Sequence, residues 1–167
     1  MLLDIAPTLA MYENTDMAFA SAYWHWFFLI QPSPFPETLI NATPDFYISK
    51  LMGLRHAGLQ PFAPEAMAAY AAAMREPACV HAMCEDYRAA ATIDLEHDRA
   101  DCAAGKRVRV PLRVLVGEQG VIQRCFKPLE LWSAVADEVS GGTVPCGHYV
   151  PEEAPEALLT EMRAFFA

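Results

Sequence analysis

Basic residues are scarce in this sequence: 12 Lys and Arg stand against 21 Asp and Glu, which gives a formal net charge of −9 at pH 7. Surfaces that bind nucleic acid neutralise phosphates with clustered Lys and Arg, and no basic stripe runs through this chain. The composition therefore predicts a protein without a nucleic-acid partner.

Long hydrophobic runs are also missing. The longest, Ala18 to Ile30, contains Ser21 and His25 and is shorter than the ~20 apolar residues of a membrane-spanning helix. The N-terminus, Met1 to Asp4, has neither the basic nor the apolar region of a signal peptide. We expect no membrane association and a cytoplasmic location.

Cysteine pairs of the C-x-x-C type are absent, and the five cysteines are an odd number. This favours reduced thiols over a disulfide framework. Cys79, His81 and Cys84 lie on one predicted helix without a matched second pair of ligands, so a structural zinc site is not expected there. Cys146 lies two residues from His148, but nothing orients the imidazole toward its sulfur. We therefore interpret Cys146 as a small buried residue and not as a nucleophile.

The chain does contain enough apolar residues for a globular core, since 54% of its 167 residues are hydrophobic. Three short apolar segments predict buried strands: Met1 to Ile5, Val108 to Gly117, and Thr143 to Pro145. Helices are predicted over the following ranges from helical spacing and helix-start signals: Thr15 or Asp16 to Gln31, Pro44 to Leu54, Pro64 to Met74, Pro77 to Thr92, Asp94 to Ala104, Pro128 to Val139, and Glu153 or Pro155 to Phe166. Prolines between Gln31 and Pro36 predict a stiff connector.

Strands that alternate with helices predict an α/β fold with a parallel sheet. Three strands alone would leave one sheet edge unpaired and both faces partly uncovered. We therefore expect more of this sheet to lie N-terminal to Met1.

Asp4 and His148 both follow predicted strands, at the edge of an open α/β sheet where ligand sites collect. A carboxylate that holds one imidazole nitrogen orients the other to take a proton from water. The spacing alone favours a plainer interpretation, in which Asp4 caps a loop and His148 lies in a surface turn.

Several segments carry a resemblance to a known family. They are Leu3 to Thr8, Tyr23-Trp-His-Trp-Phe-Phe-Leu-Ile-Gln-Pro32, Pro36-Glu37, Pro145-Cys-Gly-His-Tyr149 and Glu152 to Glu156. Together they resemble the fluoroacetate (haloacetate) dehalogenases of the α/β-hydrolase fold, in their C-terminal part only. The segment from Tyr23 to Pro32 is the most specific, whereas the Cys-Gly-His turn is shared with epoxide hydrolases and haloalkane dehalogenases.

The resemblance implies a partial α/β hydrolase: a core strand with the triad acid at 1–9, a helical cap at 10–104, and the C-terminal part of the core at 105–167. It makes Asp4 the triad acid and His148 the base. The nucleophilic aspartate, the carboxylate-binding arginines and the oxyanion loop of the family are expected upstream of Met1. The implied reaction displaces halide through an aspartyl ester and needs no cofactor or metal.

The resemblance also implies that His25, Trp26 and Tyr87 bind the halide. Imidazole, indole and phenol groups suit this task because each donates a hydrogen bond without bringing a full charge. Without the resemblance, all three residues would be interpreted as ordinary core side chains.

The resemblance also implies a substrate and an assembly. A small haloacid is the implied substrate, and the isolated chain is expected to be inactive. A homodimer, or association with the missing N-terminal half, is the implied assembly. Two alternatives remain open: a fragment of an epoxide hydrolase-like enzyme, whose cap usually offers tyrosines to the ring oxygen, and a non-catalytic helical module that binds a partner through the exposed sheet edge.

Overall fold

A computed structural model describes all residues from 1 to 167. The chain divides into two compact units, one formed by Met1–Thr15 with Glu96–Ala167 and the other by Asp16–Leu95. We refer to them as the sheet unit and the helical unit. The helical unit lies within the predicted cap, whose boundaries at 10 and 104 stay a prediction.

The sheet unit contains a three-stranded parallel sheet, with β1 at Leu2–Leu3, β2 at Leu112–Gly117 and β3 at Val139–Val144. The strand order is β1-β2-β3, so β2 is central. Its residues Val114, Leu115 and Val116 are buried, as expected for a strand with neighbours on both sides. The predicted α/β class with a parallel sheet is confirmed.

Twelve helices accompany the sheet. They are α1 (Thr8–Glu13), α2 (Met17–Ala22), α3 (Trp24–Leu29), α4 (Phe35–Ala42), α5 (Pro44–Gly53), α6 (Pro64–Met74), α7 (Pro77–Ala90), α8 (Ile93–Ala103), α9 (Val121–Cys125), α10 (Pro128–Val135), α11 (Val150–Glu153) and α12 (Pro155–Phe166). Most of the longer helices agree with the predicted ranges. Four short helices, each of eight residues or fewer, were not predicted: α1, α4, α9 and α11.

Two strand predictions need correction. β2 begins at Leu112 because Pro111 has no N–H to donate, and Val108 forms only an isolated bridge to Ala136. β3 is longer than predicted. Gly141 and Gly142 lower the strand propensity in its middle, so its first half was not recognised as a strand. A Cβ on Gly141 would overlap the backbone of Val114, so this glycine permits the two strands to approach closely.

The single helix predicted from Thr15 or Asp16 to Gln31 is wrong. Two short helices, α2 and α3, occupy this segment and are separated at Tyr23, whose ψ is 34°. The Tyr23 N–H still bonds to Phe19 O, and the Trp26 N–H bonds to Tyr23 O. Backbone hydrogen bonds therefore continue across Tyr23, although its dihedral angles interrupt the helix. The spacing of apolar residues cannot reveal such an interruption. Of the two predicted helix starts, Thr15 and Asp16, the structure selects Asp16 as the N-cap, because its side chain accepts from the Phe19 N–H at 2.8 Å.

The core of the helical unit joins α3, α4 and α7. Its buried residues are Leu29, Ile40, Val80 and Cys84. The predicted proline connector is only partly present, because α4 begins at Phe35 and places Pro36 in its first turn, where a missing N–H costs nothing. The packing of these three helices brings residues from distant parts of the sequence together.

No helix of this structure combines the length and the apolar character that crossing a membrane would require.

Candidate active site

Asp4 stands directly after β1, in a backbone conformation that few residues adopt. Its φ of 45° lies in the left-handed region, which Asp tolerates better than most side chains. The backbone N–H of Asp4 still bonds to Leu115 O at 2.7 Å, so the sheet fixes the residue at the strand end. Its carboxylate is fully buried. A strained and buried acidic residue is typical of a functional position.

Both oxygens of the Asp4 carboxylate are hydrogen-bonded. Oδ1 accepts from the Gly117 N–H at 2.9 Å, and Oδ2 accepts from His148 Nδ1 at 2.7 Å. A carboxylate accepts only, so Nδ1 of the imidazole carries the proton in this bond. The structure thus brings together two residues that are 144 positions apart in the chain, as the strand-end argument anticipated.

Two glycines leave room for this pair. A Cβ on Gly120 would lie 2.8 Å from Asp4 Oδ1, which is closer than atoms in van der Waals contact. A Cβ on Gly117 would overlap the carbonyl of Gly147, beside His148. Both positions therefore require glycine for steric reasons. Neither was singled out from the sequence, because a glycine near a strand end is also the ordinary mark of a turn.

Glu153 fixes the loop that carries His148. Its carboxylate accepts from the Gly147 N–H at 2.6 Å and from the Tyr149 N–H at 3.0 Å, so it holds the backbone on both sides of the histidine. The His148 side chain is 29% exposed, whereas its partner Asp4 is buried. The imidazole therefore lies between a fixed carboxylate and solvent, the arrangement of an acid–base pair in hydrolytic enzymes.

The neighbouring thiol is unsuited to act as a nucleophile. Cys146 is buried, and its desolvation raises the pKa of the thiol to about 11, with the Glu153 and Asp4 charges acting in the same direction. It is thus protonated at neutral pH. All five cysteines are free thiols.

The helical unit brings together the three residues predicted to bind halide. His25 and Trp26 lie on α3, and Tyr87 lies on α7. The Tyr87 ring centroid is 6.0 Å from that of His25 and 6.2 Å from that of Trp26, with the rings nearly perpendicular. His25 and Trp26 are buried. The packing of α3 on α7 therefore gathers an imidazole, an indole and a phenol, although the role of each stays a prediction.

Arg55, which the sequence analysis did not single out, contacts this cluster. Its guanidinium carbon lies 4.5 Å from the ring centroid of Tyr23, and its Nη2 lies 3.5 Å from His25 Nε2. The residue follows α5, 30 positions from His25, and no local pattern marks it.

An ion pair that is largely shielded from solvent joins α4 to α7. Arg88 Nη1 donates to Glu37 Oε1 at 2.8 Å and also contacts Glu85, while Arg88 Nε donates to Gln31 O at 2.9 Å. Arg88 lowers the pKa of the Glu37 carboxyl to about 2. Atoms of Glu37, His81 and Glu85 lie within 4.8 Å of one another, as metal ligands would. The Arg88 guanidinium already pairs with both carboxylates, so we assign the cluster a structural role.

A cavity of about 570 Å³ lies in the sheet unit, between α1, α8 and α10. Its lining includes Pro7, Leu131 and Trp132, and the Trp132 indole N–H bonds to Ile5 O at 2.9 Å. Neither Asp4 nor His148 contributes to its lining, so it is separate from the Asp4–His148 pair.

Comparison with known proteins shows similarity over nearly the whole chain. A fluoroacetate dehalogenase of Burkholderia sp is 38% identical over 167 residues, which cover 99% of this chain and 54% of that protein. No family model matches the sequence. The predicted resemblance to fluoroacetate dehalogenases is confirmed.

Solved structures agree with this result. A candidate α/β hydrolase of Nostoc sp PCC 7120 superposes with a TM-score of 0.94 and 49% identity, over 99% of this chain and 56% of that one. A candidate epoxide hydrolase of Pseudomonas aeruginosa gives a TM-score of 0.89 and 38% identity, over 98% of this chain and 54% of that one. The chain spans about half the length of the relatives it matches. It therefore has part of the α/β-hydrolase fold and is similar to enzymes of that fold.

Proposed function

We propose that this chain carries the acid–base pair and the halide donors of an enzyme that hydrolyses haloacetates. The observation that carries the proposal is the buried Asp4 carboxylate, which bonds to His148 Nδ1 at 2.7 Å. The similarity to a fluoroacetate dehalogenase supports the choice of substrate. The convergence of His25, Trp26 and Tyr87 supports the chemistry of the leaving group.

The reaction proceeds in two steps. An aspartate carboxylate attacks the α-carbon of the haloacetate, the carbon–halogen bond breaks, and the halide leaves with the electron pair. His25, Trp26 and Tyr87 donate hydrogen bonds to the halide as its charge develops. His148, held by Asp4, then removes a proton from water, and the hydroxide attacks the ester carbonyl. This regenerates the aspartate and releases a 2-hydroxy acid.

The nucleophile must come from elsewhere, because residues 1–167 contain no Gly-x-Asp-x-Gly elbow. Without an aspartyl ester there is nothing for His148 to hydrolyse. We therefore expect the isolated chain to release no halide from fluoroacetate or chloroacetate. A halide electrode measures this directly, against a control without protein, and release above that control would contradict the assignment.

Joining the chain to the N-terminal half of the Burkholderia dehalogenase tests the function itself. The hybrid should release halide from haloacetates, and the hybrid with Asp4→Asn should not. Asp45→Asn is a matched control, because Asp45 is an exposed carboxylate of the helical unit. A folded hybrid without activity on either haloacetate would contradict the proposal.

Hydrolysis of an epoxide is the second candidate, favoured by the similarity to the Pseudomonas protein. The same acid–base pair would serve it, but the donors would have to protonate an alkoxide oxygen. An indole N–H and a neutral imidazole give up a proton less readily than a tyrosine does. Turnover of a small epoxide by the hybrid, with no halide release from haloacetates, would favour this candidate.

A further inference from the structure

Arg55 differs from the other arginines of the helical unit in its surroundings. Arg75 bonds to Asp45 through two nitrogens, and Arg88 is paired with Glu37 and Glu85. Arg55 has no carboxylate within 4.0 Å, although its side chain is partly buried. A guanidinium is always charged, and a charge removed from water calls for a counter-ion. The structure gives Arg55 only ring systems as partners.

Those ring systems hold the guanidinium in a defined place. Its carbon lies 4.5 Å from the ring centroid of Tyr23, a cation–π contact. Tyr23 is buried and packs against Phe19, with 5.0 Å between ring centroids. Arg55 therefore rests on a fixed aromatic face and is not a freely moving surface side chain.

The distance between Arg55 and His25 suits a shared anion. Nη2 of Arg55 and Nε2 of His25 are 3.5 Å apart, at the outer limit of a direct hydrogen bond. Two nitrogens with this separation can both donate to one anion that lies about 3 Å from each. His25 is 4% exposed, so an anion bound there would be shielded from competing water, which strengthens charge-assisted hydrogen bonds.

We propose that Arg55 and His25 form a binding subsite for a small anion, either a halide or a carboxylate. Its assignment to the substrate rests on the proposed haloacetate function, whereas the binding of an anion does not. Arg55 brings a permanent positive charge to a cluster whose other members are an imidazole, an indole and a phenol. The enzyme would therefore favour short anionic acids over uncharged halocarbons, because a neutral substrate gains nothing from the guanidinium.

Titrating the chain itself with sodium fluoride, sodium chloride and sodium acetate tests the subsite. Binding is followed by the NMR signals of the His25 ring and of the arginine side chains. The variants are Arg55→Gln and Arg55→Lys, with Arg75→Gln as the control that removes one positive charge elsewhere in the same unit. We expect saturable shifts in the unaltered chain and in the control, and about tenfold weaker binding in Arg55→Gln, since one charge-assisted bond is lost.

The response to each anion shows whether the subsite binds the leaving halide or the carboxylate of the substrate. Dependence on Arg55 for halides alone assigns the subsite to the leaving group, dependence for acetate alone assigns it to the substrate carboxylate, and dependence for both means that they compete for one site. No saturable shift in the unaltered chain, or equal affinities in Arg55→Gln and Arg75→Gln, would overturn the inference.

Should Arg55→Gln not fold, as judged by circular dichroism, Arg55→Lys decides, because it keeps the charge but loses the planar fork. Weaker binding in Arg55→Lys supports the subsite, and unchanged affinity overturns it. A different experiment, halide release by the hybrid enzyme, tests the proposed function. Arg55-dependent binding with no halide release by the hybrid enzyme refutes the function and leaves the subsite, whereas halide release without Arg55-dependent binding refutes the subsite only.

Discussion

The sheet unit and the helical unit build their functional groups in different ways. In the sheet unit, the backbone positions the chemistry: Asp4 follows a strand, Gly117 donates its N–H to Asp4, and Glu153 holds the backbone around His148. In the helical unit, side-chain packing gathers His25, Trp26 and Tyr87. Substitutions in the first unit should therefore affect the acid–base step, and those in the second should affect either departure of the leaving group or stability.

The largest effect is expected for Asp4→Asn in the hybrid enzyme. An amide at this position can stabilise the wrong tautomer of His148, because it can donate where the carboxylate only accepts. Loss of the equivalent acid in other hydrolytic triads lowers kcat by about 10⁴-fold. Steady-state halide release measures the change. A reduction below tenfold would show that the buried Asp4–His148 bond is not needed for catalysis.

Trp26→Phe should have the next largest effect. It removes one donor to the leaving halide, and a single donor of this kind contributes on the order of 10²-fold to the rate. Fluoride is the poorer leaving group and the stronger hydrogen-bond acceptor, so fluoroacetate should slow more than chloroacetate. Trp24→Phe is the matched control, since Trp24 is its exposed neighbour on α3. Equal slowing of both substrates would contradict the halide role of Trp26.

Glu37→Gln should reduce stability more than it reduces the rate of chemistry. It leaves Arg88 without its buried partner, and breaking a buried ion pair costs about 3 kcal/mol. Asp45→Asn breaks the exposed pair with Arg75, whose charges are screened by water, so this variant should lose much less stability. Urea unfolding of the two variants gives both values. If the two variants are destabilised equally, the Glu37–Arg88 pair does not anchor the helical unit.

The same pair predicts a dependence of stability on pH. Arg88 lowers the pKa of Glu37 from its ordinary value of 4.5 to about 2 in the folded chain. A lowered pKa contributes stability above pH 4.5, and this contribution is lost as the pH falls from 4.5 to about 2. The unaltered chain should lose more stability over this window than Glu37→Gln does. Parallel acid titrations of the two proteins would contradict the assignment.

Gly120→Ala is expected to have the smallest effect of the series. The added Cβ would lie 2.8 Å from Asp4 Oδ1, so the carboxylate or the turn must shift by a few tenths of an ångström. Overpacking of this kind costs roughly 1–3 kcal/mol. The loss should appear in both the free energy of unfolding and kcat of the hybrid. Gly142→Ala is the control, because a Cβ on Gly142 meets no atom within 4 Å. A Gly120→Ala effect no larger than that of Gly142→Ala would contradict the steric argument.

The two units also differ in how far sequence could predict them. In the sheet unit, parallel strands end at one edge, so the positions of Asp4 and His148 after their strands made their contact a candidate, which the family resemblance then favoured over a loop cap and a surface turn. In the helical unit, the break at Tyr23 and the partners of Arg55 and Arg88 depend on how helices pack. The spacing of apolar residues defines helical faces but not the contacts between them, so these features were not predicted. His25, Trp26 and Tyr87 were grouped only because of the family resemblance.

The reaction of the His148→Asn hybrid with fluoroacetate separates the two chemical steps. If His148, held by Asp4, activates water for the second step only, this variant should release one equivalent of fluoride and stop. Mass spectrometry should then find the substrate attached to the enzyme as an ester. His97→Asn, which alters an exposed histidine on α8, should turn over normally. Continuous turnover by His148→Asn, without an accumulating ester, would contradict the account.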